Sequence, residues 1–517
     1  MQPLTYPITT EALSLRVASY RRVAPLIAVL FVCLLFGLNL FFFANSAAYY
    51  LPYASPVSDM HATMRWSESI VAQGWLNPNP HHPYVDWMQA CGSVEEWHRW
   101  WQDPRIFQQS PLYAYVLAAF RVFSGDLIYV LILQTFWAIA FCGCIGWIAA
   151  RISGRAMTGW LAFLLAATYA PFHAYSVLLL RDGLSYLITA GLLAVLVELQ
   201  LKAGHKVKQL WLSAGAGVLL GLGFLTRESF FVIVPMVWIV CGWMLLRRKQ
   251  MACAGLLVLA TVLAITPLLV RNALVGAPLL SSSNRFAEGF IWGHAHSADP
   301  TRFVIPTETR QILERSQGRP LAVVRETLAT HPNIGSWLKL TGAKVVALLD
   351  PFELPDNVSF YFMEQMSPTV RFGLKYWMIL VPGIAGLVLS ALQRDRRHGW
   401  LWLLFPLLLA GILMGMPMSR YRQILAVIFI PSAAYFATWL WMTAKQQPRR
   451  AVLGGATVLA GWALCLGPFS RVPKERYERA FDYVLAANIY ESAGRLKESE
   501  AMKDIVRTKF PEVIRKQ

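Results

Sequence analysis

Two aspartates and a set of arginines stand at the ends of apolar stretches in this chain, where charge is costly. Asp59 is the first acidic residue after a run of more than twenty uncharged ones. Arg181 and Asp182 lie in SVLLLRDGLSYL, and Arg227 lies beside Glu228 in GFLTRESFF. Arg271 lies in TPLLVRNALVGAPLLSSSN, and Arg420 and Arg422 in MPMSRYRQIL. Ionisable groups at the edge of hydrocarbon mark function by default, although any one arginine can also anchor a helix by snorkelling. Guanidinium forks match phosphate oxygens, and a nearby carboxylate can take a proton from a hydroxyl. Asp59 also suits the N-cap of a following helix. Asp182 suits a cap or a pair with Arg181. Glu353, Asp356 and Asn357, in DPFELPDNVSFYF, suit either a site or a turn.

The elements that must position these groups are membrane helices. Of 517 residues, 56% are hydrophobic and 15% charged, against about a quarter charged in soluble chains. Apolar segments of bilayer-crossing length recur. Eleven spans are expected, at about 23–45, 127–149, 157–175, 183–201, 209–226, 229–246, 253–270, 374–392, 399–416, 421–442 and 451–469. The segment 23–45 is too long for a signal core and reads as a retained first span. The net charge of +18 reflects topology rather than nucleic acid. With the N-terminal segment 1–22 cytoplasmic, the loops 151–155, 202–208, 247–250, 393–398 and 445–450 are all cytoplasmic and all basic. Asp59 then lies on the outer face.

Residues 23–470 thus form a transmembrane domain with two large outer loops, 46–126 and 271–373, periplasmic in a bacterial cell. The first carries Trp66, Trp75, Trp87, Trp97, Trp100 and Trp101, which suit the headgroup layer. Its SPLYAYVLAAFRVF segment is apolar but short. The tail 471–517 reads as one periplasmic helical hairpin that loosely matches a tetratricopeptide unit. Seven cysteines form no disulfide or zinc spacing, and His81-His82 and His294-x-His296 have no partners at ligand spacing. No metal site is assigned. Gly215, Gly217, Gly221 and Gly223 suit close helix packing in lipid.

A polar site at the hydrocarbon edge suits a substrate with a lipid tail and a phosphate head, such as a polyprenyl-phosphate-linked sugar. Nucleotide sugars are cytoplasmic, so an outward-facing enzyme needs a donor carried by lipid. The motifs, in order, resemble the glycosyltransferase C (GT-C) superfamily, in particular the clan of protein O-mannosyltransferases and lipid A aminoarabinose transferase. They are an acid opening the first outer loop before a helix ending in glycine (Asp59 to Gly74), a Pro-Leu-Tyr element (Pro111–Tyr113), an acid at the second outer turn (Asp182), the Leu225-Thr226-Arg227 turn, Pro267 with Arg271, Asn272 and Gly276, and Arg420-Tyr421-Arg422. Glu353 to Asn357 is similar to an acidic E-I-P-x-N element.

The resemblance implies an all-α GT-C-type helical bundle and an inverting transfer of sugar from lipid phosphate to a lipid, glycan or protein acceptor. It makes Asp59 the general base, Asp182 a supporting acid, and Arg181, Arg227, Arg271, Arg420 and Arg422 the donor-phosphate ligands. Glu353 and Asn357 fall on the acceptor side. A divalent cation is left open. Two departures stand out: a single acid at Ser58-Asp59-Met60 where relatives carry a pair, and Gln109-Ser110 where aminoarabinose transferases carry lysine before Pro-Pro-Leu. An O-antigen ligase-like polymer transferase and a lipid-linked-sugar flippase are the alternatives, although a transporter would place its charges near the midplane.

Overall fold

Long apolar helices dominate the computed structural model, which describes residues 10–85, 88–89, 91–100, 103–201, 206–468 and 478–511, with side chains from residue 25 onward. Residues 1–9, Trp87, Trp101, 202–205 of a basic loop, and 471–477 and 512–517 of the tail lie outside the described residues. Among the described residues, seven helices are long and apolar enough to cross a membrane: Pro25–Ala44, Ile128–Ser153, Asp182–Leu201, Lys206–Thr226, Phe230–Arg247, Met251–Val275 and Ser419–Gln446. Large apolar side chains such as Leu26, Phe31, Phe231, Trp243 and Leu263 are exposed along them. Water would not tolerate so extended an apolar surface, whereas acyl chains do. The protein is an all-helical, multi-pass membrane protein.

The remaining expected spans are shorter, broken or, at Pro448–Leu466, less apolar. The stretch 157–175 divides into Ala156–Ala167 and Ala170–Ser176. Pro171, at the start of the second helix, cannot donate to the ladder of the first. The main chain at the break pairs instead with Leu374: Leu374 N donates to Thr168 O at 2.7 Å and Ala170 N to Leu374 O at 2.9 Å. Tyr376–Leu392, Gly399–Leu413 and Pro448–Leu466 occupy the other three expected positions.

Helices approach closely at small residues. A Cβ on Gly217 would lie 2.3 Å from Leu257 O, and one on Gly221 2.4 Å from Ala264 Cβ, so Lys206–Thr226 lies against Met251–Val275. Gly223 accommodates the Phe230 ring, whereas Gly215 faces open space. Gly386 is tightest of all: a Cβ there would meet Ser432 O at 1.9 Å.

Two layers of polar residues lie at opposite helix ends. Arg151 pairs with Glu198, the Arg248 guanidinium donates to Leu199 O and Gln200 O at 2.8 and 3.0 Å, and Gln200 donates to Arg396 O. The basic loops at 151–155, 247–250 and 393–398 therefore gather at the Leu201 end of Asp182–Leu201. Asp182 stands at the other end, about 30 Å away for 20 residues of helix.

The two large loops, 46–126 and 271–373, pack against each other. Trp97 and Trp100 are buried with Phe290, Ile291, Ile312 and Val323, and Trp66 is buried beside Phe107. Trp97 and Trp100 thus build a core between the loops, and Trp66 packs towards the membrane helices with Leu225, Ile265 and Leu268, instead of lying in headgroups; of the described first-loop tryptophans, Trp75 alone is exposed. The tail forms a helical hairpin, Ala480–Ser492 and Leu496–Lys509. It docks on the second loop: Ser359 N donates to Asp482 Oδ2 at 2.9 Å and the Arg479 guanidinium to Asn357 O at 2.7 Å.

Gly386→Ala should lower the thermal midpoint of the purified protein, at a cost of about 1–3 kcal/mol, because a backbone carbonyl cannot move aside as a side chain does. Gly215→Ala should leave it unchanged or slightly raised. Equal behaviour of the two variants in detergent unfolding would contradict this packing.

Candidate functional site

Asp59 is the first residue of the helix Asp59–Gln73, which ends at Gly74 with φ +84. Ser58, not Asp59, caps it: Ser58 Oγ accepts from His61 N at 3.2 Å. The Asp59 carboxylate is thereby free to turn away from the helix end. Asn357 clamps the residue at two points. Asp59 N donates to Asn357 Oδ1 at 2.6 Å, and Asn357 Nδ2 donates to Asp59 Oδ2 at 3.1 Å.

Arg420 joins the two predicted acids. Its Nη2 donates to Asp59 Oδ2 at 2.5 Å, its Nη1 lies 3.9 Å from Asp182 Oδ2, and its Nε lies 2.5 Å from Asp356 Oδ2. Arg227 Nη1 reaches the other oxygen of Asp182 at 3.0 Å and Ser185 Oγ at 3.1 Å. Arg285 Nη1 reaches Asp59 Oδ1 at 3.3 Å while its Nε pairs with Glu288 at 2.9 Å. Beside this network, Arg181 donates to Glu228 at 2.8 Å. The two residues at the motif position that carries lysine in aminoarabinose transferases are also engaged: Gln109 Nε2 donates to Asp59 Oδ1 at 3.3 Å, and Ser110 N to Glu228 Oε1 at 3.0 Å.

Arg271 and Arg422 do different work. Arg271 stacks on Phe107 and donates to the carbonyls of Leu76, Asn77 and Arg105 at 2.9, 2.7 and 2.6 Å, tying the first outer loop to a helix end. Arg422 stacks on Tyr376, donates to Asp350 O and Phe352 O, both at 2.7 Å, and pairs with Glu353 at 3.2 Å. Glu353 also accepts from Gln423 at 3.1 Å. These three residues thus shape loops. The geometry brings together Asp59, Asp182, Arg227, Arg420 and Asn357 from the predicted set, with Arg181 alongside. Sequence reasoning missed Arg285, Glu288 and the contact role of Gln109, and it left Asp356 open between a site and a turn.

Burial opposes ionisation of Asp59, but the Arg285 and Arg420 guanidiniums outweigh it and hold the carboxyl well below the usual carboxylate range. Asp356 moves the other way: burial, with Asp59 nearby, raises it despite Arg420. Glu228 is likewise opposed by burial, yet Arg181 and hydrogen bonds hold it at about 2. Glu288 is pushed up to about 7, because burial exceeds the help of an arginine it shares with Asp59.

This donor set does not fit a resident divalent cation. Asp59, Asp182 and Asp356 already face Arg420, Arg227 and Arg285, so three negative charges meet three positive ones. Among the described residues no cluster of three or more His, Cys, Asp or Glu side chains is placed to hold a metal ion. An open groove of about 520 Å³, lined by Arg65, Glu68, Gln73, His81 and His98, runs along the far end of the Asp59–Gln73 helix. It contains none of the network residues.

No family model matches the chain, and no curated protein does. Among solved structures, it is similar to the archaeal oligosaccharyltransferase AglB from Archaeoglobus fulgidus in complex with an inhibitory peptide and a dolichol-phosphate, at 16% identity and a TM-score of 0.46, covering 91% of this chain and 56% of that one. The apo form of the Archaeoglobus fulgidus oligosaccharyltransferase is similar at 16% identity and a TM-score of 0.40, covering 85% and 55%. The chain spans little more than half the length of these proteins.

Glu288 yields a test by pH. A carboxyl raised by folding contributes its full stability below its unfolded value of about 4.3 and loses it as pH rises towards 7. Wild-type stability should therefore fall relative to Glu288→Gln between pH 4.5 and 8, by on the order of 2–3 kcal/mol. Parallel thermal-midpoint profiles for the two proteins would contradict the assignment.

Proposed function

We propose that the protein is an inverting glycosyltransferase of the GT-C type, which moves a sugar from a polyprenyl-phosphate donor to a lipid, glycan or protein acceptor. One observation carries this reading: the Asp59 carboxylate, from the first outer loop, shares the Arg420 guanidinium with Asp182 and Asp356 at one end of the membrane helices. A proton acceptor and phosphate-matching cations then stand together beside the acyl chains.

In this mechanism Arg420 and Arg285 receive the donor phosphate, with Arg227 and Arg181 in support. Arg271 and Arg422 hold the loops around them. Asp59 takes the proton from the acceptor hydroxyl or amide as its oxygen or nitrogen attacks the anomeric carbon. The bond from that carbon to the phosphate oxygen breaks, and lipid phosphate leaves with the electron pair. Attack opposite the leaving group inverts the configuration. Asp182 sets the position of Arg420 and Arg227, and Asn357 orients Asp59. Neutralising the charge that develops on phosphate is the larger contribution expected of such a site.

The positive-inside bias supports an orientation with the basic loops in the cytoplasm and the Asp59 layer on the periplasmic side of a bacterial inner membrane. The tail then lies in the periplasm, against the second outer loop. Charges gathered at helix ends favour this reading over a flippase, which needs them near the midplane.

Asp59→Asn in proteoliposomes supplied with a polyprenyl-phosphate sugar should lower kcat by roughly 10²–10⁴-fold with folding retained. Undiminished transfer by the folded variant would remove Asp59 as the base. Mass spectrometry of glycolipids and glycans from cells with and without the protein should show one glycan class losing a sugar.

A further inference from the structure

The Asp59 carboxylate has no vacant position in this arrangement. Its Oδ2 takes Arg420 Nη2 at 2.5 Å and Asn357 Nδ2 at 3.1 Å, and its Oδ1 takes Gln109 Nε2 and Arg285 Nη1, each at 3.3 Å. A carboxylate offers about four lone-pair sites. Four donors from four separate parts of the chain fill them, and none remains for a proton arriving from an acceptor. A base held this way must first lose a donor.

The geometry identifies which one. Charge-assisted N–H···O bonds run at about 2.7–2.9 Å. Arg420 is tightly held, by hydrogen bonds to Asp59 at 2.5 Å and the Tyr421 hydroxyl at 2.7 Å and by an ion pair with Asp356 at 2.5 Å. Arg285 meets Asp59 only at 3.3 Å, through one Nη, while its Nε forms a shorter ion pair with Glu288, 2.9 Å away, as an anchor. The guanidinium can turn its Nη groups away from Asp59 about that anchor. A phosphate, with two oxygens matched to the fork, outcompetes one long contact to a carboxylate oxygen.

We propose that the donor's lipid phosphate draws Arg285 off Asp59 Oδ1, so that Asp59 becomes able to accept a proton only after the donor is seated. This rests on the transfer reading above and adds an order to it: donor first, then proton transfer from the acceptor. Arg285 is a donor-sensing ligand, and Glu288 is the positioning residue on which it pivots. The groups facing Asp59 throughout are Arg420, Asn357, Gln109 and Arg285, with Asp182 and Asp356 behind Arg420 and Glu288 behind Arg285.

The probe is polyprenyl phosphate alone, added to the full-length protein in lipid nanodiscs at neutral pH. Infrared difference spectra of protein carrying ¹³C-labelled aspartate follow the Asp59 carboxylate stretch, assigned by its loss in Asp59→Asn and its displacement in Asp59→Glu. Binding is measured in parallel by retention of radiolabelled lipid. Binding should shift the Asp59 band. In Arg285→Gln the band should already be displaced without lipid, lipid should add little further movement, and affinity for the lipid should fall about tenfold or more. Binding that leaves the wild-type band unmoved overturns the proposal and leaves the transfer reading standing. Failure of the wild type to bind polyprenyl phosphate overturns both.

Discussion

One guanidinium among three carboxylates organises the Asp59 end of the helices in this protein. Arg420 is nearly buried, and a buried charge is tolerable only when it is paired and hydrogen-bonded. Its partners come from the first outer loop, from a turn between spans and from the second outer loop. Each segment must therefore close on the same point. Removing one member of such a group leaves uncompensated charge, which typically costs about 3–5 kcal/mol, so the loops are held in register by electrostatics as well as packing.

Other arginines extend this principle with carbonyls in place of carboxylates. Arg271 gathers three main-chain carbonyls of the first large loop, Arg422 three of the second, at Leu348, Asp350 and Phe352, and Arg479 of the tail two more, at Asp356 and Asn357. Loops that would otherwise leave polar main chain unpaired beside lipid are satisfied at the same points that fix their shape. The tail hairpin thereby bears on the segment that presents Asn357 to Asp59.

Much of this was legible from apolar periodicity and charge placement. Segment lengths indicate the long helices, and basic loops alternate with the levels of Asp59, Asp182 and Arg420, so the separation of the two polar layers to opposite helix ends follows. The small residues Gly217 and Gly221 were readable as contact points because backbones in lipid approach only where side chains are absent. What an arginine's fork meets was not readable. Arg271, Arg420 and Arg422 look alike at helix ends, yet one meets carboxylates and two meet mainly carbonyls. Arg285, in SSSNRF, follows a polar run instead of closing an apolar span, so nothing flags it. Its partner Asp59 is more than two hundred residues away in sequence, and only the packing of the two outer loops brings them together. The Asp59 cap was a local alternative that Ser58, one residue earlier, takes over.

A cryo-EM map of the protein with a bound polyprenyl-phosphate sugar tests the central claim most directly. The account predicts phosphate density against the Arg420 and Arg285 guanidiniums, with the anomeric carbon facing Asp59 across a gap that one acceptor atom fills, so that the attacking group lies about 3 Å from the carboxylate. Phosphate density at the opposite layer, among the basic loops near Leu201, or in the groove beside His81 and His98, would contradict it.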